Sequence, residues 1–331
     1  MSLRTCLFCA LLVLTSSLPA QNNAGLFNGT NSRVRVLDAF PANPSANPNA
    51  YKITGKNITV EAWIYPLRFP NPHLENPIVK RPVSTTDVDP FSVYALSVTH
   101  VNGFPQPAFS ISTGAPGSRV QVIAADSIPT FQWTHIAGSY NGTELRIYVN
   151  GILQGTIPTT ISIGTGATGF YIGRFLSDAF AGLIDDVRLW NVTRSQSEIQ
   201  TSMNTELTGS ESGLAGYWTM NNATGGLVPD QTANHNDLLN LNTQLVSYNP
   251  LTSYGSPSFT VSESLLDFGS VEVGSTSASE VTITNTGTAP VIGFFGAADN
   301  LNVAAFSGVF FVDQGQTSRA TVSVTPSFRA F

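Results

Sequence analysis

The chain has 331 residues, of which 42% are hydrophobic and 11% are charged, and its formal net charge at pH 7 is −6. Globular domains usually carry about 25% charged residues, so uncharged polar residues must form most of this surface. The acidic balance and the absence of any basic run in the sequence argue against nucleic acid as a partner. The length suits about two domains, and the composition is common in extracellular β-rich proteins.

The first 20 residues have the pattern of a signal peptide. Arg4 supplies a positive charge, Leu7–Leu14 is apolar, and small residues lead up to Ala20. We therefore expect cleavage after Ala20 and a secreted or cell-surface protein. No apolar stretch reaches the about 20 residues that span a bilayer, so no membrane span is expected. Both cysteines, Cys6 and Cys9, lie in this segment, so the mature chain would have no disulfide.

Short alternating segments separated by Gly, Asn and Pro predict antiparallel β-structure along the rest of the chain. Asn141-Gly142 and Asn150-Gly151 are strong hairpin signals. They would join strands at Trp133–Tyr140, Glu144–Val149 and Ile152–Thr156. Many short strands of this kind indicate a sandwich or jelly roll.

One helix is predicted among these strands. Ser195 and Glu198 have the spacing of a capping box, and Ile199, Met203 and Leu207 then recur every four residues. A single short helix fits a β-sandwich with one surface helix.

The segment Gly182–Leu189 places a carboxylate on the apolar side of a predicted strand. Strict alternation puts Asp185 on one face with Leu183 and Val187, and Asp186 on the opposite face. An unpaired carboxylate buried there would cost several kcal/mol. A cation, a basic residue or backbone N–H groups should therefore neutralise it.

An ordered series of motifs resembles the LamG-like jelly roll of the concanavalin A-like lectin/glucanase superfamily, which includes pentraxin and laminin G-like domains. The motifs are Leu26-Phe27-Asn28-Gly29, Ile58–Ile64, Trp133–Gly151, Tyr171–Arg174, Gly182–Leu189, Tyr217-Trp218 and Asp230. The resemblance implies an all-β, antiparallel jelly-roll β-sandwich over residues 22–247.

Residues 258–331, which follow a predicted linker at 248–257, resemble the immunoglobulin-like domains of the abnormal-spindle/hydin type. Leu266–Val271 and Val281–Thr288 carry this resemblance. It implies a second, smaller immunoglobulin-like β-sandwich. The number of strands predicts that this module is incomplete and lacks its closing hairpin; a truncated product and a natural end at Phe331 both stay open.

The jelly-roll resemblance also implies a candidate metal site. Related jelly rolls often hold a structural calcium between the opening strand and the Gly-x-Ile-Asp strand, and calcium prefers oxygen ligands. Carried over, Asp185 would be a carboxylate ligand, and Asn28 and Gly29 would supply side-chain or carbonyl oxygens. Asn28 replaces the commoner Asp, which should weaken the affinity. The alternative is that backbone N–H groups or Arg174 hold Asp185.

No catalytic residues are predicted. Glycoside hydrolysis needs two carboxyl groups that flank one bond, and the glucanases of the superfamily place them in a Glu-x-Asp-x-x-Glu run that this sequence lacks. Glu61 has Trp63, not a carboxylate, two residues later. His100, His135 and His235 are scattered, so no cofactor beyond a structural calcium is expected.

We therefore expect a non-catalytic binding or adhesion module that recognises glycans or an extracellular protein. The alternatives are a structural spacer of a larger surface protein and a carbohydrate-active enzyme with an unfamiliar site. Loops usually carry ligand sites, and the proline-rich segment Arg68–Asp89 is the predicted recognition loop. Among the tryptophans, Trp190 is the better candidate for an exposed sugar-stacking ring, although large rings on strands more often pack in the core or at an edge. The sequence does not specify the oligomeric state.

Overall fold

The computed structural model describes residues 4–6, 23–36, 45–70, 75–86, 88–166, 169–223, 225–247, 258–263, 265–268, 270–295 and 308–324. The predicted all-β fold is confirmed: the elements are antiparallel strands and, within those ranges, one short helix. Two compact units form, one within residues 16–251 and the other within residues 1–15 and 252–331.

In chain order the strands are β1 (Arg4–Cys6), β2 (Asn23–Asn28), β3 (Arg33–Val36), β4 (Ile58–Arg68), β5 (Asn76–Pro82), β6 (Ser92–Val101), β7 (Phe104–Ile111), β8 (Val120–Ile123), β9 (Thr134–Tyr140), β10 (Glu144–Val149), β11 (Ile152–Pro158), β12 (Phe170–Ile172), β13 (Arg174–Phe175), β14 (Asp178–Ala179), β15 (Ala181–Trp190), β16 (Leu214–Trp218), β17 (Leu227–Val228), β18 (Leu238–Leu241), β19 (Gln244–Ser247), β20 (Phe259–Val261), β21 (Leu265–Asp267), β22 (Ser277–Asn285), β23 (Val291–Phe295), β24 (Gly308–Val312) and β25 (Thr317–Val324). Helix α1 (Gln196–Ser202) lies between β15 and β16.

Two eight-stranded antiparallel sheets form the larger unit. The first sheet has the order β11-β10-β9-β4-β15-β2-β19, with β16 also paired to β15. The second has the order β17-β18-β3-β12-β5-β6-β7-β8. Strands that are distant in the chain are neighbours in both sheets, as expected for a jelly-roll sandwich.

The core of the larger unit lies between the two sheets. Both sheets contribute side chains that are fully buried, among them Ile64, Ile184, Leu96, Phe109 and Ile172. Because successive residues of a strand point to opposite faces, each sheet also has an outer face that points away from this core. The polar residues of interest lie on those two outer faces.

The predicted hairpin turns are confirmed. Asn150 and Gly151 both adopt positive φ angles, 50° and 73°, between β10 and β11, as a two-residue hairpin turn requires. Gly142 also has a positive φ, 87°, in the turn between β9 and β10.

The predicted recognition loop Arg68–Asp89 is largely wrong, because it contains β5, whose residues are all buried. Proline is tolerated in a strand at irregular positions, and the register of β5 against β6 shifts beside Pro77 and Pro82. Between them, Ile78 enters the core. The proline content therefore marks bulges in a strand rather than a loop.

The smaller unit contains the sheet β20-β22-β25 and the pairs β23-β24 and β1-β21. Ile283, Val291 and Phe310 are among the side chains of its own small core. The immunoglobulin-like identity, the domain boundaries and the signal peptide stay predictions. The described part of the chain has no helix with the length and apolar character needed to cross a bilayer.

Candidate functional site

A β-bulge in β15 overturns the predicted orientation of Asp185. The pairing of β15 with β4 shifts register between Asp185 and Arg188, and Asp186 has a φ of 51°. An extra residue in a strand reverses the faces of the residues that follow it. Ile184 and Val187 consequently both enter the core, and Asp185 lies on the outer face of the first sheet. The assumption of strict alternation is wrong at this point.

Helix α1 covers this outer face, and its predicted capping box is confirmed. Ser195 Oγ accepts a hydrogen bond from the Glu198 amide at 3.3 Å, and the Glu198 carboxylate accepts one from the Ser195 amide at 2.7 Å. Just beyond the other end of α1, Trp63 Nε1 donates to the Met203 carbonyl at 2.8 Å. Carbonyls at a helix C-terminus lack helical partners, so Trp63 anchors the helix to the sheet.

Arg188 forms the centre of the buried cluster beneath α1. It is 1% exposed, and its guanidinium donates to the Asp186 carboxylate and to the carbonyls of Ser202 and Thr205 at 3.0 and 2.7 Å. Burial raises the pKa of Asp186, although the charge of Arg188 opposes that effect. Burial lowers the pKa of Arg188, but the charge of Asp186 is among the effects that outweigh it and raise the pKa overall. The pair thus holds the segment after α1 in place.

Asp185 lies beside this pair and is 4% exposed. Its Oδ1 accepts a hydrogen bond from the Asp186 amide at 2.7 Å. Burial, and then the negative charge of Asp186, raise the pKa of Asp185 well above its usual value. The structure therefore favours the alternative in which a backbone N–H group holds Asp185. Arg174, the other candidate, belongs to β13, which contacts strands of the second sheet.

Glu61 completes the buried cluster and is 0% exposed. Trp190 Nε1 donates to Glu61 Oε1 at 2.7 Å, and His135 Nε2 lies 3.3 Å from Glu61 Oε2. Burial raises the pKa of Glu61, but the adjacent His135 and the charge of Arg188 outweigh it, so the pKa is lowered overall. Trp190, the candidate for an exposed ring, is fully buried, with the Arg194 guanidinium 3.9 Å from its ring centroid.

The three residues predicted to share a calcium do not meet. Asn28 is opposite Ala181 in the pairing of β2 with β15, four residues from Asp185. At about 3.3 Å per residue this separates Asn28 from Asp185 by about 13 Å. Gly29 follows Asn28 and lies further away still.

Asn28 also has a different task, because it closes the turn after β2. Its Oδ1 accepts hydrogen bonds from the amides of Thr30, Asn31 and Ser32 at 2.9, 3.0 and 3.1 Å. Nowhere in the described ranges do three His, Cys, Asp or Glu side chains form a group that could hold a metal ion. Asp185, Asn28 and Gly29 therefore do not fit one calcium, and calcium binding stays a prediction without structural support.

The outer face of the second sheet presents a row of residues that are Cα partners across seven strands. In order from β18 to β8 the row is Leu239, Arg35, Tyr171, Lys80, Ala95, Ser110 and Gln121. The chain neighbours of these residues, such as Leu96 and Ile172, point into the core. The row therefore lies on the side of the sheet away from the core, although Lys80, Ala95 and Ser110 are themselves buried there.

Part of this face carries balanced charges. Lys80 Nζ is 3.3 Å from Asp178 Oδ2 and 3.9 Å from Glu75 Oε2, and it lies 5.3 Å from the ring centroid of Phe175. Arg119 forms an ion pair with the other oxygen of Glu75. Two cations and two carboxylates thus compensate one another.

A second group on the same face, which we call the arginine cluster, consists of Arg33, Arg35 and Arg174. All three side chains are partly exposed. Partial burial, followed by the positive charges of Arg35 and Arg174, lowers the pKa of Arg33, and Tyr171 acts in the opposite direction. The guanidinium groups of Arg35 and Arg174 are therefore close enough to repel that of Arg33.

The arginine cluster has no compensating charge within the described residues. No ion pair or hydrogen bond joins the side chains of Arg33, Arg35 or Arg174 to any residue in those ranges. The Nε atoms of Arg35 and Arg174 are buried and lack a hydrogen-bond partner. None of these three arginines is among the site residues predicted from the sequence, although the Arg33-x-Arg35 spacing on β3 indicates that two of them share one face of a strand.

Comparison with known proteins agrees with the fold. Residues 41–200 match the Laminin_G_3 family model of the concanavalin A-like lectin/glucanases superfamily. The chain therefore contains a Laminin_G_3 concanavalin A-like domain, and the resemblance inferred from its motifs is confirmed. The match does not include the smaller unit.

Individual relatives cover the chain in part. Mouse (Mus musculus) pappalysin-1 is 30% identical over 113 residues, which are 31% of this chain and 7% of that protein. A solved structure described as a candidate carbohydrate binding protein from Bacteroides ovatus ATCC 8483 has a TM-score of 0.50 and 23% identity, covering 69% of this chain and 60% of that one. The heptameric SAP-like pentraxin from Limulus polyphemus has a TM-score of 0.40 and 15% identity, with 55% and 81% covered. The chain thus spans less than two thirds of the first two proteins.

Proposed function

We propose that this chain is a non-catalytic glycan-binding module and that its ligand binds the outer face of the second sheet. The lectin-like fold of the larger unit supports a binding role. The observation that carries the proposal is the arginine cluster, whose side chains present hydrogen-bond donors to solvent without partners in the described residues. Unused donors on a rigid sheet are suited to bind the oxygen atoms of a sugar.

The outer face of the first sheet offers no comparable surface, because α1 lies over it. Trp63, Arg188 and Trp190 are buried there, and each donates a hydrogen bond within the protein. A ligand on that side would have to displace the helix and leave those donors unpaired.

The carboxylates also support a binding role over catalysis. Glu61 and Asp186 are buried under α1 and are bound by Trp190 and Arg188. A glycosidase needs two carboxyl groups that reach one glycosidic bond, and this pair is closed to a substrate. A secreted or cell-surface location, proposed from the N-terminal pattern, would bring such a module into contact with extracellular glycans and allow a role in adhesion.

The test is a glycan array that contains neutral and acidic glycans, probed with the full chain in the presence and absence of a chelator. We expect a defined subset of glycans to bind equally well under both conditions, since the predicted calcium ligands do not meet. The matched comparison is Arg146→Ala, which removes a partly exposed strand arginine paired with Glu144 on the first sheet. This variant should bind like the unaltered protein.

Reducing-end release from the bound glycans is measured in parallel. Binding without release supports the module, whereas release by the full chain contradicts the non-catalytic assignment. The absence of binding to any glycan would contradict the proposal and favour a structural spacer.

A further inference from the structure

Resting on the proposed function, we propose that the arginine cluster binds the carboxylate or sulfate group of an acidic glycan. Arg33 and Arg35 occupy alternate positions of β3 between core residues Val34 and Val36, so both point outward. Arg174 begins β13, which contacts β3, and its charge acts on Arg33, so it lies beside these two arginines.

The arginine cluster is unusual in a chain that has an excess of carboxylates. The sequence has 21 acidic and 15 basic residues, so carboxylates are in excess. Other arginines use them: Arg188 pairs with Asp186 and Arg119 with Glu75. Three arginines placed together without such a partner in the described ranges form an exception, and an external anion would remove their mutual repulsion.

The N–H donors of the arginine cluster suit an anionic oxygen ligand. A guanidinium group presents a planar set of N–H donors that matches two oxygens of a carboxylate or sulfate. The Nε atoms of Arg35 and Arg174 are buried without an acceptor, as is Nε of Arg188, and an unpaired buried donor is costly. Arg188 also donates to Asp186 and to two backbone carbonyls, whereas no such bonds join Arg35 and Arg174 to the described residues. The ligand oxygens would supply the acceptors, and the partly exposed positions of Arg33, Arg35 and Arg174 leave a route from solvent.

The net charge of −6 decides between kinds of anion. A densely charged polyanion such as a nucleic acid would be repelled by the rest of the chain, whereas one acidic group on a mostly uncharged sugar chain would not. Lys80 and Asp178 nearby are buried and compensate each other, so they add no net charge beside the cluster.

The experiment measures the affinity of the full chain for four probes by calorimetry. Sialyllactose supplies one carboxylate, 3′-sulfolactose supplies one sulfate, lactose is neutral, and inorganic polyphosphate is the phosphate comparison. The variants are Arg33→Gln, Arg35→Gln and Arg174→Gln, with Arg146→Gln as the matched control on the other sheet. Thermal unfolding of each variant confirms that it is folded.

We expect each cluster variant to bind sialyllactose or 3′-sulfolactose about tenfold more weakly, the size of one lost charge-assisted hydrogen bond. Arg146→Gln should bind unchanged, and higher salt should weaken the unaltered protein because ionic contacts are screened. Arg35→Lys keeps the charge but not the planar fork, so its affinity should lie between those of the unaltered protein and Arg35→Gln.

Whichever acidic probe responds identifies carboxylate or sulfate as the recognised group. Cluster variants that bind acidic probes as tightly as Arg146→Gln does would overturn the inference, as would polyphosphate binding tighter than both glycans. Binding of neutral glycans without any acidic preference overturns this inference and leaves the proposed function standing. Absence of all glycan binding overturns both.

Discussion

The outer faces of the two sheets treat arginine in opposite ways. On the first sheet, Arg188 is buried under α1, and its guanidinium donates to the Asp186 carboxylate and to two backbone carbonyls. On the second sheet, Arg33, Arg35 and Arg174 are partly exposed, and the described residues hold no partner for them. Arginine thus stabilises the fold on the first sheet, whereas on the second sheet its N–H groups are available to a ligand.

This difference distinguishes two roles of charged residues in the sandwich, which are to stabilise the fold and to bind a ligand. A buried ion pair is sensitive to the loss of either member, because the remaining charge is uncompensated. A group of like charges at the surface contributes little to stability or reduces it, and so requires another reason to be there. Stability measurements should therefore divide the arginines into two classes.

The largest effect is expected for Arg188→Met, which keeps much of the side-chain volume but removes the charge. Asp186 would then be a buried carboxylate without its partner, and the carbonyls of Ser202 and Thr205 would lose their donor. The free energy of unfolding should fall by about 3–5 kcal/mol. Urea unfolding measures it, with Arg146→Met as the control on the same sheet. A loss no larger than that of the control would show that Arg188 does not hold this face together.

A smaller effect, visible as a pH dependence, is expected for Asp185→Asn. The pKa of Asp185 is raised in the folded protein by burial and by the charge of Asp186, so the folded state binds the proton more tightly than the unfolded state. The unaltered protein should therefore lose stability as the pH rises from about 4 towards the raised pKa. Asn cannot ionise, so the stability of Asp185→Asn relative to the unaltered protein should increase over this interval.

Urea unfolding at a series of pH values from 4 to 8 gives this comparison. The exposed Asp126 provides the control substitution Asp126→Asn. Parallel stability curves for Asp185→Asn and the unaltered protein would mean that Asp185 is ionised in the folded state throughout, contrary to the effect of its burial.

Loss of the helix cap should have a still smaller effect. Ser195→Ala removes the acceptor for the Glu198 amide and one donor to the Glu198 carboxylate. The expected loss is about 1 kcal/mol, and it concerns only the element that closes the first sheet. Ser197→Ala, at an exposed position in the first turn of the same helix, should be nearly neutral. Equal values for the two variants would assign the cap no role in stability.

Most of the fold could be predicted from the sequence because its local signals agree with the final structure. Asn150-Gly151 forms the predicted hairpin and Ser195 caps the predicted helix, since both depend on residues close in the chain. The jelly-roll motifs led to the correct superfamily. The β5 strand was not predicted because its prolines are typical of a loop. Its two bulges and its core contacts are determined by the neighbouring strands.

The candidate site was less accessible to sequence reasoning. Asp185 was assigned to the wrong face because a single bulge residue, Asp186, reverses the phase of the strand, and no local signal marks such a bulge in advance. The arginine cluster depends on the pairing of β3 with β12, which brings Arg174 to Arg33 and Arg35 across a long stretch of chain. Only the sheet topology supplies that proximity.

The smallest expected effect, and the one that completes the comparison, concerns the stability of Arg33→Gln. Because the neighbouring charges of Arg35 and Arg174 oppose the charged form of Arg33, removing its charge should leave the free energy of unfolding unchanged or raise it by no more than about 0.5 kcal/mol. Salt screens repulsion between exposed charges, so any gain should shrink as ionic strength rises. Urea unfolding at low and high salt measures both quantities. A destabilisation comparable to that of Arg188→Met would mean that Arg33 supports the fold, and the two faces would then not differ in the way proposed.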